Sequence, residues 1–127
     1  MRIASVPNWT FADVVVANGF WGANRSRFGK WAKGETLVLL IGREGVVIAT
    51  VSGKAFISDQ MIWEGDLYEY RIPVRVNKVL RGAAGLASAQ AVRAALAAGL
   101  GGYYGAYIMS QSKLPQEVQE LVKAALI

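Results

Sequence analysis

The sequence predicts an α+β domain: a small twisted β-barrel of about five to six strands flanked by helices. Three observations carry this expectation. Apolar and β-branched runs of strand length crowd the first two thirds of the chain, as in Thr36–Ile41 and Val46–Val51. Helix signals stand at the periphery, after Asn8, around Ser88 and after Pro115. The order strand, helix, several strands, helix, strand, helix leaves few long crossovers, which separates α+β from a doubly wound sheet. With 127 residues, 54% of them apolar, the chain suits one domain over 1–127 with a real core.

Taken in order, Arg2–Val6 is a short strand closed by Pro7. Asn8 can cap a helix, Thr10 and Asp13 have capping-box spacing, and Asn18-Gly19 ends it, with Trp9, Ala12, Val15 and Val16 on a buried stripe. Residues 19–35, GFWGANRSRFGKWAKGE, read as irregular structure or a short helical turn. Thr36–Ile41 and Val46–Val51 form a hairpin buried on both faces, turning at Arg43-Glu44-Gly45; Gly53 suggests a bulge, and Ala55–Ser58 continues the second arm. Tyr68–Val76 alternates, with Tyr68, Tyr70, Ile72, Val74 and Val76 on one face and Glu69, Arg71, Pro73 and Arg75 on the other; Pro73 argues for an edge or bulged position. Ser88–Ala98 is an Ala-rich helix with a Ser cap and a Gly99 stop, Tyr103–Met109 a last strand, and Pro115–Leu126 an amphipathic helix. The uncharged run Ala94–Ser112 carries four glycines and is shorter in its apolar part than the roughly 20 residues of a membrane span. It reads as buried helix, turn and strand, and no membrane partner is expected.

Charge is distributed unevenly. The formal net charge is +5, yet Val14–Gly34 holds four cations (Arg25, Arg27, Lys30, Lys33) without an acid, and Tyr70–Gln116 holds six. A basic face of this kind suits phosphate partners, although a solvated fringe has the same composition. The chain contains no cysteine and no histidine, which excludes disulfides, thiol nucleophiles, Cys/His zinc sites and imidazole catalysis. No metal or other cofactor is expected. The absence of cysteine fits a reducing compartment or a thermophile alike, and Met1-Arg2-Ile3 leads directly into a strand-like run with no signal peptide visible; a cytoplasmic location is expected. The positive mean hydropathy of +0.29 leaves room for a covering subunit, such as a homodimer partner.

Four pieces in this order resemble the EVE domain and its relative the YTH domain, both of the PUA-like superfamily. Asn8-Trp9 opens a helix leading to FWGANRSR, similar to the Trp-bearing loop of these domains; KGETLVLLIGREGVVIATV is similar to their turn and central hairpin; AFISDQMIWEGDLYEYRIPVRVNKV is similar to their strand, second Trp-bearing loop and returning strand; and YIMSQSKLPQEVQELVKAAL is similar to the closing polar loop and helix. The resemblance implies a PUA-like barrel that recognises a modified base, methylated adenine in YTH domains and modified cytosine or adenine in EVE domains. It implies aromatic walls at Trp21 and Trp63, polar contacts from Asn24 and Ser26, and a phosphate-side loop at Ser110, Gln111 and Lys113. Arg25, Arg27 and Lys33 join these as the basic rim. The partner implied is RNA or DNA, single-stranded or with a flipped-out base. The chain departs from the pattern in lacking an extra Trp or Leu after the second Trp, unless Tyr68 takes that place, and in having Glu35 where EVE domains often carry Asp.

Each of these residues has a plainer reading. Trp9, Trp21, Trp31 and Trp63 are of a size and type that also fill cores, and Asn24 also suits a turn. Two other functions stay open: a small hydrolase of modified nucleosides similar to ASCH domains, using Lys33 or Lys54 with Glu35 or Glu64, and a protein-interaction subunit.

Overall fold

The computed structural model describes residues 1–126. Strands β1 (Arg2–Val6), β2 (Phe20–Ala23), β3 (Thr36–Ile41), β4 (Gly45–Val51), β5 (Phe56–Ile57) and β6 (Tyr70–Leu80) make one curled, half-barrel sheet in the order β1-β3-β4-β6-β2, with β5 also on β6. Four helices accompany it: α1 (Trp9–Asn18), α2 (Gly82–Leu100), α3 (Tyr104–Ser110) and α4 (Gln116–Ala125). This is the α+β architecture expected, with the barrel left open between β1 and β2.

β1 runs parallel to β3, and the remaining pairs are antiparallel. Strand β3 forms where its pattern places it, because both of its faces are covered. Leu37, Leu39 and Ile41 join a core with α1, Trp21 and Trp63; Val38 and Leu40 join a second core with α2, α3 and α4. Each fully buried aliphatic side chain contributes about 1.5–3 kcal/mol. The sheet is therefore sandwiched between a helical face and an aromatic face, and the aromatic face carries the site.

Asn8 caps α1 by accepting the Phe11 N–H at 2.9 Å, and Gly19 ends the helix at φ +72. Thr10 and Asp13 take no part in that cap. Of the expected stripe, Ala12 and Val15 are buried, Trp9 is half-buried and Val16 is exposed. The half-buried Phe11 and Val14 flank the stripe on the side facing Trp63.

Several expectations are corrected. The segment after Gly19 is not irregular throughout: Phe20–Ala23 pairs with β6, and a single 3-10 turn covers Phe28–Lys30. The register irregularity lies between Ile48 and Ala49, not at Gly53, which rests on the Pro73 ring. Pro73 is not on an edge. It sits where β6 changes partners, from β2 and β5 below it to β4 above it. Ala55–Ser58 does not extend β4; Phe56 and Ile57 pair with β6 instead. Tyr68 precedes β6, at φ +47. Helix α2 begins at Gly82, six residues before the expected Ser cap, and runs through Gly99, which lies against Val118 of α4 where a Cβ would have no room.

The last expected strand is a helix. Tyr103–Met109 alternates poorly, but Tyr104, Tyr107 and Ile108 are spaced three and four apart, and as helix α3 all three pack in the second core. By length and composition Gly82–Ser110 passes for a membrane-crossing segment. One face of α2, with Ala89, Val92 and Leu96, is packed on the sheet and α4.

Candidate nucleic-acid interface

Strand β2 places Trp21 opposite Ile72 on the aromatic face, and the loop between β5 and β6 brings Trp63 to the same core. Both indoles are buried, at 4% and 2% exposure. They do not face each other across an open slot. The Phe11 ring lies between them, stacked on Trp63 and edge-on to Trp21. Gly22 permits this packing: a Cβ there would come within 2.7 Å of the Trp63 ring. Trp31 is half-buried, edge-on to Phe28, with the Arg2 guanidinium 5.0 Å above it.

A buried polar chain sets the position of the Trp21 edge. Arg2, only 8% exposed, pairs with Glu35 at 3.1 Å and donates to the Gln111 carbonyl at 2.9 Å. Glu35 also accepts the Ala32 N–H at 2.6 Å. Gln111 takes a left-handed conformation (φ +54) at the end of α3, and its side-chain oxygen accepts the Trp21 Nε1–H at 3.0 Å. An indole N–H only donates, so it fixes the amide's orientation. The Gln111 NH₂ is left with no hydrogen bond among the described residues.

The Trp63 loop is held from below by Arg71. The alternation of β6 sets Arg71 on the face opposite Tyr70, Ile72 and Val74, and there it is 1% exposed. Its guanidinium donates to the carbonyls of Tyr68 and Leu67, each at 3.2 Å, and of Gln60, and lies 5.3 Å from the centre of the Trp63 ring. Arginine fits because its forked, weakly hydrated cation satisfies several carbonyls at once.

The surface above this core carries two adjoining depressions. The larger, about 400 Å³, is lined by Trp21, Asn24, Arg25, Arg27 and Gln111, together with Phe11, Tyr68 and Met109. The smaller, about 320 Å³, is lined by Trp63, Glu64, Asn8 and Thr10 and shares Pro7, Phe11 and Tyr68 with the first. Five expected residues therefore converge from the β2 loop and the α3 end onto one concavity. Ser26 lines a third groove on the far side of the loop. Lys33, Ser110 and Lys113 are exposed and line none of these; Ser110 bonds to Ser112 at 2.7 Å. Phe11 was missed by sequence reading, and its signal was the Asn8 cap, which sets Phe11 three residues into α1.

The concavity combines aromatic faces, amide donors and acceptors, and cations. Arg25 and Arg27 form no ion pair among the described residues. Glu35, considered above as a catalytic carboxylate, is occupied by Arg2 and the Ala32 amide. Among the described residues no group of three or more Asp or Glu is placed to hold a metal ion.

No family model and no curated protein matches this chain. Among solved structures it is similar to the YTH domain of the Zygosaccharomyces rouxii MRB1 protein, crystallised in complex with N6-methyladenosine RNA. The TM-score is 0.57 at 14% identity, over 98% of this chain and 85% of that one. The likeness is one of fold: the present chain has a YTH-like architecture.

Proposed function

We propose that this protein is a non-catalytic RNA-binding module that takes one modified base, a methylated adenine, from a single strand into the depression beside Trp21. The observation that carries the reading is the convergence of Trp21, Asn24, Arg25, Arg27 and Gln111 on one concavity. Stacking on the half-buried Phe11 and Tyr68 rings that line the depression beside the Trp21 edge is worth about 1–3 kcal/mol per base. A methyl group set against the rings adds about 0.8 kcal/mol. The free Gln111 NH₂ and the Asn24 amide read the base edge, where a wrong base leaves them unpaired at about 1–3 kcal/mol. The two unpaired arginines draw in the backbone. The fold shared with a YTH domain solved with methylated RNA supports RNA as the partner.

The test is a binding titration with two short single-stranded RNAs that differ only in one N6-methyladenosine. The reading expects tighter binding of the methylated strand and loss of that preference in Trp21→Ala that is still folded. Equal binding of both strands removes the modified base; no binding of either at low salt removes the nucleic acid.

A further inference from the structure

We infer that the groove on the far side of the Asn24–Phe28 loop is a second base site, for the nucleotide that adjoins the modified one on the same RNA strand. It rests on the reading above and extends it. The groove has a volume of about 220 Å³ and is lined by Arg27, Phe28, Phe56, Ile57 and Tyr70. Its outer wall is β5, a two-residue strand that leaves Ile57 71% and Phe56 36% exposed. These two large apolar side chains, grouped beside the groove, offer an apolar surface that a partner can cover.

Charge and continuity select a nucleotide as that partner. Arg27 lines both this groove and the depression beside Trp21. It is therefore the ridge between two concavities, each with aromatic walls. Its Nη1 donates to the Met109 carbonyl at 3.1 Å, and its Nε is buried with no partner among the described residues. No carboxylate neutralises it there. A phosphate linking two nucleotides, one on each side of the ridge, supplies the anion this guanidinium lacks. The apolar groove then needs only a π-face, which any base presents, so this second site is tolerant of sequence.

The experiment compares binding of N6-methyladenosine nucleoside, of a five-nucleotide RNA with that residue at its centre, and of the same RNA made abasic at each neighbouring position. The proteins are wild type, Ile57→Gln and Phe56→Ala. Ile57 projects into solvent, so its variant folds even where loss of the Phe56 contact to Phe20 (5.1 Å) does not permit it. Both variants are expected to bind the nucleoside as wild type does and the intact RNA about five- to twentyfold more weakly. That deficit disappears when one particular neighbour is abasic. Wild-type affinity of both variants for the intact RNA, while Trp21→Ala loses it, overturns the second site and leaves the first standing. A deficit that extends to the nucleoside overturns it too, since the effect then acts through the main depression. A concentration-dependent dimer abolished by Ile57→Gln assigns β5 to a second copy and overturns it as well. Failure of wild type to bind any of the ligands removes the parent reading, and this one with it.

Discussion

Phe11 lies flat on Trp63, with ring centroids 5.1 Å apart and planes 18° from parallel. The same ring meets Trp21 edge-on at 6.0 Å and Tyr68 edge-on at 5.2 Å. Phe11 thus fills the interval between the two indoles. A base reaching Trp63 must exchange with it. On the proposed function that exchange sets the Phe11 contacts with Trp63, Trp21 and Tyr68 against a stacked base worth about 1–3 kcal/mol.

Phe11→Ala removes that competitor. Affinity for methylated RNA should rise about two- to tenfold, while stability falls by about 2 kcal/mol, half the usual cost for a fully buried Phe because Phe11 is only half-buried. Titration beside chemical denaturation reads both quantities. Unchanged affinity would mean that bases never reach Trp63, leaving it a core residue alone.

Gln111 has two separable duties. Its side-chain oxygen satisfies the buried Trp21 N–H, and its NH₂ faces no partner among the described residues. Gln111→Ala strands the indole N–H and should cost about 1–3 kcal/mol of stability. Gln111→Glu keeps the acceptor and should recover most of that, yet lose the methylated-strand preference, since a carboxylate cannot donate. Retained preference in Gln111→Glu would show that the amide does not read the base.

Arg71 decides whether the Trp63 loop keeps its shape. Arg71→Leu leaves three carbonyls without their donor. At about 1 kcal/mol or more each, a loss of roughly 3 kcal/mol is expected, with residues 58–69 becoming the first site of protease cleavage. Arg71→Lys should rescue little, because an ammonium does not match the fork. Wild-type thermal stability in Arg71→Leu would refute this account.

On the proposed function, Arg25 and Arg27 set the salt response. Each alanine substitution should lower the slope of log K against log salt by about 0.7 for single-stranded RNA and weaken methylated and unmethylated strands alike. A change in base preference instead would place these side chains on the base.

Much of the framework was open to a reader of the chain alone. Asn8 and Gly19 bound a helix through local hydrogen bonding and backbone freedom, and Thr36–Ile41 carries its apolar run without interruption. Glycine, capping and apolar periodicity act over a few residues, so they survive without knowledge of the partner element. The resemblance also grouped Asn24, Arg25 and Arg27 with Gln111, and these four line one depression. Tyr103–Met109 was ambiguous because its aromatics fit either period over so short a run; packing on β1 and α2 selected the helix.

Composition and local pattern thus determined an α+β chain with a cationic loop beside aromatic residues and no thiol or imidazole chemistry. Only the tertiary structure decided that Arg71 turns inward, that Phe11 stands between the tryptophans, and that Arg27 divides two concavities. The physical reason is that burial of a charge or an aromatic face depends on how the folded chain arranges carbonyls and rings around it: the Arg71 partners lie only 3, 4 and 11 residues away but converge through the shape of the loop, while Phe11 meets Trp63 and Arg27 meets Met109 from distant segments that leave no mark on the local sequence.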